Sequence, residues 1–179
     1  MTVPGSDTGP RATHRPRDTG RAAFYHAENL VLGMFDRASD FRAVHLAGST
    51  VTLPVERRFA SVESVQDYVD AVLALPWVRE TWPQATTPVT VRRRTGSAKA
   101  HYHRAGAVIA LPGHVANHAW ALRELVVLHE LAHHLTEPAE ADHGAAFAGT
   151  LVELVSDVIG AEAGFALRVT LLDAGVAVG

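Results

Sequence analysis

The feature that most constrains this fold is an apolar run in the second half of the chain. Residues 119 to 134, AWALRELVVLHELAHH, contain neither glycine nor proline and would be apolar on nearly every side of a helix. A helix that is apolar all round has no face suited to water, so it must lie inside the protein. The sequence therefore predicts a central buried helix around which the other elements pack.

The same run carries two histidines at a spacing that is typical of metal sites. His129 and His133 are four residues apart, so both imidazoles project from one helix face and can reach one cation. Glu130 lies beside His129, near enough to accept a proton from a water that the metal activates. The pattern is HExxH, in which the histidines are zinc ligands and the glutamate is the general base. We therefore predict a zinc site with Glu130 as its catalytic residue.

Residue spacing does not decide which residue is the third zinc ligand. A catalytic zinc site commonly has three protein ligands and one free position. His143 follows His133 after a loop long enough to turn back, and Glu153 lies on the next predicted helix, where an antiparallel neighbour could present its carboxylate. Both are acceptable ligands, and spacing alone does not separate them. Glu153 or Asp157 could instead orient a histidine ligand.

Other polar residues near this run are expected to have structural roles. His134 projects about 100° away from His133 around the helix, so we expect a hydrogen-bonded structural histidine. Asp142 precedes a further helical segment and could cap it. Glu137 and Glu140 are expected to be solvated loop charges.

The first half of the chain is assigned from pattern alone. Residues 1 to 20 are rich in proline and glycine and predict a disordered tail, so that 21 to 179 would form a single domain. Apolar spacing predicts a helix from Ala22 to Ala38, and alternation between 41 and 55 predicts a hairpin. Ser61 precedes an amphipathic helix that Pro76 should end.

Three short β-branched segments and two further helices complete the prediction. The segments 89 to 94, 98 to 104 and 107 to 112 suggest a three-stranded antiparallel meander. Helices are expected over 144 to 159 and 162 to 172.

Composition narrows the chemistry and the partners. The chain has no cysteine, so any metal must be held by histidine and carboxylate. A net charge of -3 gives no strong signal for nucleic acid. No apolar run approaches the length of a membrane span, and the N-terminus lacks the apolar core of a signal peptide. We expect a cytoplasmic protein whose oligomeric state is open.

The metal segment resembles a known family. HELAHHLTEPAEADHGAAF, residues 129 to 147, is similar to the zincin metallopeptidase core of the SprT-like group, in which a third histidine stands in an HG-x-x-F context. The chain resembles more closely an actinobacterial metallohydrolase family with runs like VVLHELAHHL, HG-x-x-F and ALRV, over about residues 98 to 171. The positions that match the SprT-like pattern are His129, Glu130, His133, His143, Gly144 and Phe147.

This resemblance implies a fold and an activity. It implies an α+β, zincin-like domain with a small, mostly antiparallel sheet packed on the metal helix, and it favours His143 over Glu153 as third ligand. The implied activity is that of a small zinc metallopeptidase acting on peptides or proteins. By the same resemblance, residues 107 to 112 would be the open edge strand that pairs with substrate. No cysteine-based zinc ribbon or strongly basic tail is present, so a DNA-dependent protease role is not expected.

During hydrolysis a negatively charged oxygen, the oxyanion, forms on the substrate carbonyl. The sequence leaves open which residue would stabilise it. Because alternate strand residues face opposite ways, either His101 with His103, or Tyr102, could face the cleft. His114 and His118, which precede the metal helix, are further candidates.

Two other functions remain as alternatives. ImmA/IrrE-like regulatory proteases also carry HELAHH-type helices, but they usually have a carboxylate third ligand. A non-catalytic module in which zinc supplies folding energy would need a fourth protein ligand.

Overall fold

In the computed structural model, the described residues are 18–38, 43–95, 99–112 and 120–179. Within these ranges the chain is α+β. The helices are α1 (Arg21–Ala38), α2 (Val62–Leu73), α3 (Pro76–Thr81), α4 (Glu124–Leu135), α5 (Ala145–Val158) and α6 (Ala161–Asp173). The strands are β1 (Ala43–Leu46), β2 (Ser49–Thr52), β3 (Thr90–Arg94), β4 (His101–His103) and β5 (Val108–Pro112). Most of the predicted tail, residues 1–17, lies outside the described residues.

Helix α4 is the buried helix that the sequence predicts. All of its residues except His133 are buried, and their apolar side chains belong to one cluster shared with the other helices and the larger sheet. The helix begins at Glu124, later than predicted. Arg123 is extended, with φ -96° and ψ 142°, because its backbone forms an antiparallel bridge with Arg58.

Buried charges fix the start of α4. The Arg123 guanidinium donates to Glu56 at 2.6 Å and to the Leu32 carbonyl of α1 at 3.1 Å. The Tyr68 hydroxyl of α2 donates to Glu124 at 2.8 Å. Buried charges are tolerated when they are paired and hydrogen-bonded in this way. These contacts fix the position of α4 relative to α1 and α2.

The larger sheet has the order β3-β5-β4, with β3 parallel and β4 antiparallel to β5. The predicted antiparallel meander is therefore wrong, and so is the prediction that residues 107 to 112 form an edge strand. Strand β5 is buried over four of its five positions, so it takes the central place, where both backbone edges are paired. Strand β4, whose His101 is exposed, lies at an edge of this sheet.

The predicted hairpin and second helix are present, and local chemistry explains both. Strands β1 and β2 are joined through Ala47 and Gly48, with φ values of 48° and 76°, as a tight hairpin turn requires. Ser61 and Ser64 form a reciprocal capping box at the start of α2. Pro76 stands in the first turn of α3, where its missing N–H costs nothing.

Helices α5 and α6 form an antiparallel layer beside α4 and α1. Phe147, Leu151 and Leu154 of α5 are fully buried, as is Leu167 of α6. The layer places the N-terminal end of α5, which follows His143, beside α4. None of the helices in the described ranges combines the length and apolarity needed to cross a membrane.

Candidate metal centre

Three histidines converge between α4 and the start of α5. Each of His129, His133 and His143 offers one ligand atom, and these atoms lie within 4.8 Å of one another. His129 and His133 come from successive turns of α4, and His143 comes from the loop just before α5. Among the described residues this is the group that could hold a metal ion.

Two of these histidines carry a ring nitrogen with no partner. His129 Nε2 and His143 Nε2 are buried and have no hydrogen-bond partner in the structure. An unpaired buried polar atom is costly, and native proteins contain few of them. In a neutral imidazole with its hydrogen on Nδ1, the Nε2 atom carries a free lone pair. In that form both side chains fit a metal ion as ligands.

Carboxylates at the other ring nitrogen support that tautomer. His129 Nδ1 lies 2.9 Å from Glu28 Oε1 of α1, and His143 Nδ1 lies 2.6 Å from Asp18 Oδ2. In both pairs Nδ1–H donates to the carboxylate, which leaves Nε2 as the acceptor or ligand atom. Asp142 Oδ1 is 3.6 Å from His133 Nδ1. Such carboxylates fix ring orientation and raise the basicity of histidine ligands.

An aromatic layer lies beneath the three histidines. Phe147, the aromatic residue of HG-x-x-F, is fully buried and stacks on the His133 ring with centroids 4.2 Å apart. Its ring is 5.1 Å from both the His129 and the His143 rings. Phe24 of α1 is 5.7 Å from His129 and 5.2 Å from His143. These rings exclude water from below and restrict the imidazole rotamers.

Electrostatics keeps at least two of the histidines neutral. Burial, followed by the neighbouring His129 and His143, lowers the pKa of His133 far below its usual range. Burial also lowers the pKa of His143, against the opposing effect of Asp18. Burial lowers the pKa of His129 too, but the Glu28 carboxylate outweighs it and the net direction is upward. Neutral imidazole is the form that binds a metal.

Glu130 lies next to the three histidines without joining them. It is buried and lines the same cleft as His133 and His143. Burial raises its pKa to about 7, although His129 and the main-chain N–H of Tyr102 act in the opposite direction. A carboxyl group in this position can accept or donate a proton inside the cleft.

The cleft above the histidines has a volume of about 350 Å³. One wall is formed by the N-terminal end of α1 and the residues before it, and the other wall is formed by β4 and the turn after it. The cleft is lined by Asp18, Arg21, Tyr25, His101, Tyr102, His103, Arg104, Ala105, Glu130, His133, Asp142 and His143.

Strand β4 presents different side chains to the two sides. His101 and His103 line the cleft, with ring centroids 4.6 Å apart. Tyr102 is buried, and its hydroxyl is 2.7 Å from His134 Nδ1, so its side chain points away from the metal group. Arg104 follows β4 and donates to the carbonyls of His133 and Thr136. These bonds join the end of α4 to the edge strand.

Tyr25 of α1 contributes to the wall that faces β4. Its ring stacks on His129, with centroids 5.5 Å apart and planes 19° apart, and lies 5.1 Å from the His143 ring. Lys99 Nζ is 4.3 Å from its centroid. Burial, Glu130 and Glu28 raise its pKa to about 12.

The predicted site residues divide clearly in the structure. His129, His133 and His143 come together, whereas Glu153 and Asp157 are exposed on α5 and are not part of the histidine group.

The structural role predicted for His134 is confirmed. Its Nε2 lies 2.9 Å from the Gln84 carbonyl, and its Nδ1 lies 2.7 Å from the Tyr102 hydroxyl. The capping role predicted for Asp142 is wrong. Gly144 is the N-cap of α5 and no side chain caps it, while the Asp142 carboxylate lies near His133 instead. His114 and His118 lie outside the described residues.

Sequence reasoning missed the residues from the N-terminal side of the site. Asp18 lies within the predicted tail, yet it contacts His143, which is 125 residues away. Glu28 did carry a usable signal. It falls on the apolar face of α1, between Phe24 and Val31, where a charged residue is 3% exposed and needs a buried partner.

Comparisons with known proteins gave no relatives. No protein-family model matches the chain, and no curated protein and no solved structure matches it significantly.

Proposed function

We propose that this protein is a zinc-dependent metallohydrolase, and specifically a small peptidase that hydrolyses amide bonds. The observation that carries the proposal is the pair of unpartnered buried Nε2 atoms of His129 and His143, which converge with His133. Three imidazoles with no cysteine are a ligand set that suits zinc and leaves a position open. The resemblance of residues 129 to 147 to the zincin core supports the same function.

The chemistry divides between the metal and Glu130. Zinc, when bound, supplies Lewis acidity that lowers the pKa of a water toward about 7 and polarises a substrate carbonyl. Glu130 accepts the proton of the attacking water and returns it to the departing amine, so it acts first as base and then as acid. The Tyr102 N–H acts on the Glu130 carboxyl in the direction that favours its ionised form, which is the form that accepts the proton.

The substrate backbone would lie along β4. This strand lines the cleft together with Glu130, and as an edge strand of the sheet it is paired with β5 on one side only. An extended peptide can add to such an edge through main-chain hydrogen bonds, with little demand on its side chains. The proposed substrates are therefore peptides or proteins with an extended segment.

The Glu130→Gln variant tests this function. It should hold one zinc ion per chain, as the wild type does, because Glu130 is not a ligand. Its hydrolysis of a quenched fluorescent peptide library should fall by a factor of about 10² to 10⁴ through loss of the general base. Zinc content by elemental analysis and the cleavage rate are measured on the same preparation.

Glu153→Gln is the matched control, since Glu153 is exposed on α5 and should affect neither quantity. Full activity in Glu130→Gln would disprove the mechanism. Loss of zinc in Glu153→Gln would instead favour the carboxylate-ligand chemistry of ImmA/IrrE-like proteases. Zinc with four protein ligands and no turnover in the wild type would favour the non-catalytic module.

A further inference from the structure

Tyr25 lines the cleft but has no role in the chemistry proposed for zinc and Glu130. Its ring is held between the imidazoles of His129 and His143 and lines the cleft together with Glu130. The ring belongs to α1, whose Glu28, one turn further on, accepts from His129 Nδ1. The helix that orients the Nε2 atom of His129 therefore also positions a phenol at the same centre.

The Tyr25 hydroxyl is available as a hydrogen-bond donor. The Arg21 guanidinium, one helical turn earlier on α1, has its Cζ 5.6 Å from the Tyr25 ring centroid and is close enough to donate a hydrogen bond to the Tyr25 oxygen. Among the described residues no carboxylate or carbonyl accepts a hydrogen bond from this hydroxyl. A hydroxyl that accepts one charged hydrogen bond keeps its own O–H for another partner and becomes a stronger donor.

Four other polar side chains of the cleft are less suited to this role. The Tyr102 hydroxyl is directed to His134 behind the sheet. His101 is largely exposed to solvent on β4, where water competes for its ring nitrogens. Asp18 and Asp142 are acceptors and would repel a developing negative charge.

We propose that the Tyr25 hydroxyl is the catalytic residue that stabilises the oxyanion of the tetrahedral intermediate, with Arg21 as its positioning residue. The inference rests on the proposed hydrolase function. As water adds to the scissile carbonyl, the carbonyl π bond breaks and its electron pair moves to the oxygen. The Tyr25 O–H donates a hydrogen bond to that oxygen and keeps its proton, while Glu130 takes the proton of the water. When the C–N bond breaks, the carbonyl reforms and the hydroxyl is unchanged.

The test uses a binding readout that does not need turnover. A phosphinic peptide imitates the tetrahedral anion, and a thiol peptide of the same sequence has no oxyanion. Both affinities are measured by calorimetry on the full-length, zinc-loaded protein. Tyr25→Phe retains the ring that stacks on His129 and should leave zinc content and thermal stability unchanged.

In Tyr25→Phe the dissociation constant of the phosphinic peptide should rise by about 10² to 10³, the usual effect of losing one oxyanion donor. The thiol peptide should bind as it does to the wild type. If peptides are cleaved, kcat should fall by a similar factor with little change in KM.

Arg21→Met tests the positioning role. It should weaken phosphinic peptide binding in the wild-type background, but it should have no effect in the Tyr25→Phe background, because the hydroxyl that it positions is absent. Equal losses in both backgrounds would overturn the role given to Arg21. His101→Gln serves as the comparison for the other wall and should weaken phosphinic peptide binding less than Tyr25→Phe does.

The possible failures are distinguishable. Unchanged phosphinic peptide affinity in Tyr25→Phe, with zinc bound, overturns the Tyr25 proposal and leaves the hydrolase function standing. A wild type that binds zinc and the phosphinic peptide but cleaves no peptide overturns the peptidase function, while the effect of Tyr25→Phe on binding still decides the oxyanion role. A wild type that binds no zinc overturns both.

Discussion

At the scale of single residues, the centre depends on carboxylates that do not touch the metal position. Glu28 is 3% exposed, and a charged group at that depth is stable only with a close partner. Its partner is His129 Nδ1, and the hydrogen bond directs His129 Nε2 toward the other two histidines. Asp18 does the same for His143. The ring orientations of two candidate ligands are therefore set by carboxylates that lie outside the histidine group.

Glu28→Gln tests the importance of this outer layer. The amide oxygen still accepts from His129 Nδ1–H, but the negative charge that strengthens the ligand is lost. Zinc affinity should fall by about 10- to 100-fold, as for other carboxylates behind histidine ligands. The measurement is competition with a chelator of known affinity. Glu153→Gln should bind zinc like the wild type, and a Glu28→Gln variant that does so too would contradict the role given to Glu28.

At the scale of elements, α4 is the buried helix of the centre, and the neighbouring helices bring the remaining residues of the centre to it. Helix α5 follows His143, and α1 carries Glu28 and Tyr25. Helix α6 packs against both α5 and α1, so its fit influences where these side chains lie. Helices α5 and α6 approach each other closely at Gly164. A Cβ built there would meet Ser156 of α5, with the Ser156 Cα only 2.8 Å away.

Two glycine substitutions test this packing with opposite expected signs. Gly164→Ala should destabilise the fold by about 1 to 3 kcal/mol, because backbone on α5 must move away. Gly33→Ala, on α1, should stabilise it by about 1 kcal/mol, since alanine is the better helix former. Its added Cβ would meet Arg37 at an ordinary 3.5 Å. Urea unfolding measures both. Stabilisation by Gly164→Ala would show that α5 and α6 are not packed at this distance.

At the scale of the whole molecule, the centre joins parts of the chain that are far apart in sequence. Its candidate ligands come from α4 and from the loop before α5, and the carboxylates that contact them come from Asp18 and from α1. Without a metal ion, two buried ring nitrogens have no partner. Metal binding should therefore stabilise the entire fold and not only one loop.

Removal of zinc should lower the melting temperature markedly. With free zinc at about a thousand times its dissociation constant, the native state gains about 4 kcal/mol, which corresponds to roughly 10 °C for a chain of this size. Thermal unfolding with and without a chelator measures the shift, and added zinc should restore it. Magnesium is the control ion, because it prefers oxygen ligands. In His129→Ala the melting temperature should not respond to zinc, and a full response there would exclude His129 as a ligand.

The local part of this centre could be predicted from the sequence. His129 and His133 share a helix face because the helical repeat is set by the backbone, and the apolar run around them requires burial. The locations of α1, α2 and the β1–β2 hairpin along the sequence also follow from local patterns of apolar and turn residues. The α+β class also follows from local patterns.

Only the tertiary structure decided the non-local part. Spacing could not separate His143 from Glu153, since both can return to α4, and it is the packing of α5 that leaves Glu153 in solvent. Strand order was decided by burial of β5 across the sheet, which no single segment encodes. Glu28 meets a histidine 101 residues away through the packing of α1. Helical periodicity acts between neighbours in the chain, whereas these contacts depend on how whole elements share one core.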